Sequence, residues 1–470
     1  MRRRIAIIGG GAAAAVLLCE LLEQPTPRPL HVDWYTGGQH PARGVAYGTA
    51  SSHHLLNVRA ASMGLFDGRR HGFLEFAQRR APRTAGTDFL PRSWYGDYLQ
   101  QEVAAALALG ERHGHDAHVI PFAVDSLVPE REGLSVMHGE TSHRADAAVL
   151  ALGALPPRPL PEVGAAALAS GRYVVDPWKF LGEPAPSGQP PQDVVLIGMG
   201  LTALDVLLEL AERWPQTRFI ALSRHGLLPE AHLRQATAPS DDGAGLIEAM
   251  RDAPDIRQWM RLLREAAAQE PDWRTVIDGL RPHVPALWRD LPMAQRARFL
   301  RHANWAWQRV RHRMPPALQE QVSALERDGR LRRLRARVRA VDVAGDVAGD
   351  VAGDVAGDVA GDALRLTVEV AGQPQRLDAG LVIQATGLDT DVRPTAHRLV
   401  SQLLTNLHIT PDPLGLGMMA EADGRLLRDG DAWPHLFVIG SLLRGTLWES
   451  TAIPEIRQQA RRLAGRLRGN

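Results

Sequence analysis

Residues 5–8 are four consecutive apolar side chains that stop at a glycine cluster, the pattern of a short strand buried on both faces of a parallel sheet. Residues 12–22 are almost wholly apolar at helical length and end before Pro25, Pro27 and Pro29, so they predict a helix. Residues 32–35 predict a second strand, completing a strand–helix–strand unit. The same order returns later: an apolar strand at 193–197, a turn at 198–200, a Leu-rich helix over 201–214 and a strand at 218–222. Residues 241–337 read as helical, with many Arg and with Trp259, Trp273, Trp288, Trp305 and Trp307. Most of these tryptophans are expected to pack a core, with one or two free to line a substrate cavity. Residues 364–370 alternate like a strand and 380–384 read as a buried one.

Pro-rich passages at 155–161 and 184–191 mark connections between domains. The pattern therefore predicts an α/β chain with two Rossmann-like dinucleotide-binding domains and a helical insertion. The first domain is expected over 1–160, completed by 375–470. The second is expected over 190–370, carrying the helical insertion (241–337) and a loop (343–362) in which Val-Ala-Gly-Asp occurs five times. A four-residue period is too short for a solenoid, so this loop reads as low-complexity surface and is assigned no function.

Composition narrows the picture. A length of 470 residues suits two or three domains, and 45% hydrophobic residues suffice for a sizeable core. The net charge of +1 gives no reason to expect nucleic-acid binding. The single cysteine, Cys19, excludes an internal disulfide and a Cys-x-x-Cys redox pair; it falls within the apolar helix and reads as a core residue. The 18 histidines show no H-E-x-x-H or Cys/His spacing, so no metal site is expected. Arg2, Arg3 and Arg4 before an apolar run resemble the start of a signal peptide, but the glycine cluster interrupts that run. No later segment reaches about 18 uninterrupted apolar residues, so no membrane span and a cytoplasmic location are expected.

Two motifs carry chemistry. Gly9-Gly10-Gly11-Ala12-Ala13-Ala14 fits G-x-G-x-x-G/A between a strand and a helix. Gly9 permits the tight turn, Gly11 lets a pyrophosphate approach the backbone, and small Ala14 lets helix and strand pack. The helix N-terminus then offers amides and a positive dipole end to phosphate. Gly198-Met199-Gly200-Leu201-Thr202-Ala203 repeats the motif, with Gly198, Gly200 and Ala203 in the same roles. In the first unit, Asp33 stands where an acid would bind ribose but falls inside the strand, so Thr36 lies nearer the tip. In the second unit no acid follows; Ser223-Arg224 stands there, and Arg224 can pair with a 2′-phosphate. NADPH is therefore favoured over NADH.

The order of motifs resembles the flavoproteins with two dinucleotide-binding domains, and within them a bacterial family of FAD/NAD(P)-binding proteins. The residues that carry the resemblance include Gly44-Val45-Ala46-Tyr47-Gly48, His54-Leu55-Leu56-Asn57-Val58, Ser62-Met63, Pro91-Arg92, Tyr95-Gly96-Asp97-Tyr98-Leu99 and Ala151-Leu152-Gly153. Ala385-Thr386-Gly387, Gly440-Ser441 and the stretch from Trp448 to Arg457 add to it. The resemblance implies FAD on Gly9, Gly11, Ala14 and Gly440, with NADPH on Gly198, Gly200, Ala203 and Arg224; Thr36 at the strand tip is a further FAD candidate, as is Ser441, which stands where many relatives carry an Asp that contacts the flavin chain. It implies a monooxygenase acting on a small molecule with O₂, and urate, the substrate of hydroxylases in the family, is the first candidate. An FAD-dependent reductase or oxidase, or an N-hydroxylating monooxygenase, is the alternative; a non-catalytic dinucleotide-binding protein ranks last. His53, His54, Asn57, Arg92 and Tyr98 are candidates to face the flavin, although His54 and Asn57 suit loop backbone bonding equally well. Glu449 is placed to cap the helix that begins near Thr451, and the Arg-rich stretch 457–468 reads as a solvated helix face. The F-x-G-x-x-x-H-x-x-x-W pattern of ketone-oxidising flavoproteins starts at Phe66-Asp67-Gly68 but is not completed.

Overall fold

The computed structural model describes residues 2–38, 40–184, 189–235, 237, 243–345 and 363–469. Most of the Val-Ala-Gly-Asp loop, and part of the second Pro-rich passage, lie outside the described residues.

Strand β1 (Arg3–Ile8), helix α1 (Ala12–Leu22) and strand β2 (Leu30–Tyr35) form the expected opening unit. β1 sits inside a six-stranded sheet, flanked by β2 and by Ala147–Leu150. Asp116–Ile120 extends the sheet beyond β2; Asp431–Val438 and then Arg425–Arg428 extend the other side. All neighbours are parallel except the last pair. α1 is buried along almost its whole length, Cys19 included, because Ile453–Arg468 and Arg92–Arg112 cover it. A helix apolar all round needs such cover on every side.

A second sheet repeats this plan with Leu331–Arg335, Arg218–Ser223, Asp193–Ile197, Leu381–Gln384 and Tyr173–Val174, all parallel. The boundaries therefore differ from those expected. Leu381–Gln384 lies in the second sheet, so the return to the first domain comes after it rather than at 375. Tyr173–Val174 puts the entry before 190. Within the expected helical stretch, α-helices run from Ala244–Asp252 to Pro316–Arg327, and Leu331–Arg335 is already the edge strand. A three-stranded antiparallel sheet (Arg337–Val343, Leu364–Val370, Gln373–Ala379) precedes the last core strand.

The chain crosses between domains twice, and the crossings touch. Leu155 bridges to Asp389, and Arg158 donates to the Asp389 carboxylate. A second set of contacts joins the domains through the Leu201–Arg213 helix. Arg92 donates to Asp205 at 2.7 Å, and both side chains are largely out of water. His54 is fully buried; its Nε2 donates to the Asp205 carbonyl (3.2 Å) and lies 3.1 Å from Glu209, while Nδ1 meets the Thr49 hydroxyl at 2.6 Å. A carbonyl can only accept, so Nε2 carries a hydrogen. Burial pushes the Asp205 carboxyl above its ordinary range, and Arg92 and His54 pull against that shift.

Removing one partner of such a pair leaves a buried charge uncompensated. We expect Arg92→Met to cost about 3 kcal/mol, and the double variant Arg92→Met/Asp205→Leu to recover much of it. Thermal melts of the two variants check this; equal loss in both would refute the pairing argument.

Candidate dinucleotide-binding and active site

Each glycine motif forms the turn it was expected to form. Gly9 has φ +126° and Gly198 φ +128°, a region that L side chains rarely occupy. A side-chain carbon on Gly9 would collide with the Ala151 carbonyl, and one on Gly198 with the Ala385 carbonyl. The Ala-Leu-Gly and Ala-Thr-Gly segments are thus the walls against which the two turns are pressed. α1 begins after Gly11 and the Leu201–Arg213 helix after Gly200, and neither has a side chain capping its first amides. The space over Gly200 is open, and only Gly44 lies near Gly11. Both helix N-termini therefore present unfilled donors over a bare backbone, and they fit a pyrophosphate. Ala14 and Ala203 are buried against their sheets, as small residues there must be.

The remaining cofactor candidates are placed as follows. Gly440 (φ +86°) lies beside Ala13 at the start of α1, and its amide donates to Gln459 at 2.9 Å. Ser441 opens the next turn. Thr36 follows the tip of β2, buried, with its amide and hydroxyl both reaching the Ile120 carbonyl. Asp33 is turned to His31 at 3.2 Å. Arg224 is exposed at the tip of Arg218–Ser223 and makes no ion pair among the described residues. Sequence reasoning missed Arg335. Strand pairing sets it opposite Ser223, next to Arg224, and it too has no ion pair among the described residues. Both cations depress His225 between them, after burial.

The candidates for the flavin face have the following partners. His54 and Arg92 hold the domain contact described above. His53 pairs with Glu212 at 2.8 Å, across the same boundary. The Asn57 carbonyl accepts from His232 Nε2 at 3.1 Å. Tyr98 is buried in the first core, its hydroxyl accepting from the Leu65 amide at 3.3 Å.

The segment that follows Gly440 carries groups the sequence did not mark. Trp448 adopts φ +57°, rare for a bulky residue. Glu449 does not cap the Ile453–Arg468 helix. It is buried, accepts from Trp307 Nε1 at 3.0 Å and lies 3.2 Å from Arg311. Burial opposes its ionisation, but Arg311, His312 and the Trp307 bond hold its carboxyl below the ordinary range. Arg281 pairs with Glu455 alongside, at 2.7 Å between Nη2 and Oε2. His312, packed into this cluster, is driven down to about 4, chiefly by burial and then by the surrounding arginines. Ser450 Oγ is fully buried with no hydrogen-bond partner among the described residues, a polar atom left for a bound group. Arg457 is not a solvated side chain: it is buried, donating to the Gly64 carbonyl at 2.6 Å and pairing with Asp67. On the first sheet, His31, Asp116 and His118 converge within 4.8 Å, a grouping no sequence spacing announced; Arg2 also pairs with Asp116 there.

Two Rossmann-type cradles, the second inserted within the first, define a flavoprotein with two dinucleotide-binding domains. Residues 6–155 match the FAD-NAD(P)-binding family, which covers the first cradle and its Ala151 wall. FAD and NADP are the cofactors that fit the two cradles. Among solved structures the chain is similar to the L-lysine 6-monooxygenase from Pseudomonas syringae (TM-score 0.67, 17% identity, 99% of each chain). It is also similar to the ornithine N-hydroxylase from Kutzneria sp. 744 with reduced FAD, NADP⁺ and L-ornithine (TM-score 0.62, 16% identity, 99% of each chain). A third likeness is to the FAD-bound cadaverine monooxygenase of desferrioxamine biosynthesis from Erwinia amylovora (TM-score 0.64, 15% identity, 99% of this chain and 94% of that one). At such identities the likeness is one of fold. No curated protein matches the chain.

Two outcomes follow. If these cations hold the 2′-phosphate, Arg224→Ala and Arg335→Ala should each raise KM for NADPH about tenfold and leave KM for NADH unchanged, because each would remove a charge-assisted bond to that phosphate alone; steady-state kinetics with both nucleotides checks it. His312 binds protons less readily folded than unfolded, so its stabilising contribution is complete above about pH 6.5 and is lost as pH falls toward 4. Melting temperatures of His312→Gln against pH should therefore fall less steeply than those of the parent over that window.

Proposed function

We propose that the chain is an NADPH-dependent FAD monooxygenase that hydroxylates a small molecule at an amine nitrogen. One observation carries the reading: the whole arrangement, both cradles with the helical insertion and the returning C-terminal segment, matches hydroxylases of ornithine, lysine and cadaverine over nearly their full lengths. Urate has no support among these relatives, and the N-hydroxylating alternative fits them better.

The residues divide the work. The Gly9–Gly11 turn, the first amides of α1 and Gly440 would hold FAD; the Gly198–Gly200 turn with Arg224 and Arg335 would hold NADPH. FAD, when bound, takes electrons from NADPH and lets one oxygen atom of O₂ pass to the substrate. Gln459 fixes the C-terminal segment at both ends, accepting from the Gly440 amide and donating to the Ser450 carbonyl. Trp448, with the Glu449–Arg311 pair behind it, keeps water from that segment. A thiol-relay reductase is disfavoured, because Cys19 is the single cysteine and its thiol is buried and pushed well up by that burial.

The test is coupled turnover. Purified holoenzyme should oxidise NADPH faster with a suitable primary amine, consume O₂, and yield a product with one added oxygen by mass spectrometry, while urate does neither. Peroxide as the sole product with every amine offered would select the reductase or oxidase reading instead.

A further inference from the structure

The helical insertion and Trp448 line a cavity of about 290 Å³, partly open to solvent, that none of the cofactor-binding residues explains. Its volume equals that of roughly ten waters. Its walls include Trp259, Trp273, Trp288, Trp307 and Trp448. Three of these indoles have their N–H groups already engaged: Trp259 donates to the Met250 carbonyl (2.7 Å), Trp288 to the Gly445 carbonyl (2.8 Å) and Trp307 to Glu449 (3.0 Å). Ring faces and aliphatic carbons are what the interior presents, so water there would find almost no partner. A dry apolar cavity of roughly half this size already takes up benzene in another protein.

One charged residue stands at this wall. Arg264 contributes to the lining, yet it is exposed and makes no ion pair among the described residues. Its methylene stem suits the apolar wall while its guanidinium reaches water. We propose that this cavity binds an amphipathic carboxylate: an alkyl or aryl body among the tryptophans, and its carboxylate on Arg264. Trp448 belongs both to the cavity and to the segment that starts at Gly440 beside α1. The bound molecule is accordingly placed as the substrate, a clause that rests on the monooxygenase reading; the binding itself does not.

Calorimetric titration of the FAD-loaded full chain with straight-chain carboxylates of four to ten carbons tests the site. Affinity should rise about fourfold per methylene until the cavity is full. Arg264→Gln should weaken the acids by up to about fivefold and leave alcohols of equal length unchanged. Ala306→Leu, which adds carbons to the cavity wall, should weaken the longest acid and spare the shortest. Affinity independent of chain length, or an Ala306→Leu variant that melts higher while no acid binds the parent, would make the cavity a packing void and overturn the proposal. If the acids bind with this pattern while ω-amino acids of matching length do not stimulate NADPH oxidation, the site stands and the substrate clause falls. Failure of every amine in the turnover assay leaves these titrations unaffected.

Discussion

The carboxylate of Asp205 is the constraint on which the arrangement of this molecule depends. It sits in the first turns of the helix that rises from the second glycine turn, and it has been taken out of water. Its counter-charge, Arg92, comes from the first domain, as does His54 on the neighbouring carbonyl. The helix packs its apolar face into its own domain, while its buried charge is answered from the other one. A buried ion pair is a poor source of net stability, but it is a good source of orientation, because few placements satisfy both charges at once. Here what is oriented is one dinucleotide site relative to another.

The same logic governs the C-terminal segment. Gly440 starts beside α1, and eight residues later Trp448 and Glu449 are embedded in the helical insertion. The segment thus ties together three parts of the chain that are distant in sequence: the first glycine turn, the return strand and the insertion. Its unusual backbone at Trp448 is held by packing against Trp288 and Phe299, which stack and abut it at 4.7 and 5.0 Å.

Much of the scaffold was legible because local rules suffice there. The Gly9 and Gly198 turns, α1 and the strands around them follow from glycine conformation and apolar runs, and they stand within a residue or two of the expected positions. Leu381–Gln384 was placed in the wrong domain because a short apolar run looks the same in either parallel sheet; only its hydrogen-bond neighbours decide. The polar candidates were harder. His54 and Arg92 find their partners more than 100 residues away, and Arg335 reaches Arg224 only through strand pairing. Glu449 looked like a helix cap from its local position, and its burial against Arg311 depends on a fold that no local pattern encodes.

The paired crossings at Leu155 and Asp389 have a mechanical meaning. Two strands of chain that leave and re-enter at one spot act as a single axle, whereas two separated ones would act as a clamp. The chain alone thus fixes where the second domain is attached but not its angle, and the angle is set by contacts away from that point, Arg92 with Asp205, His53 with Glu212 and Glu449 with Arg311 among them.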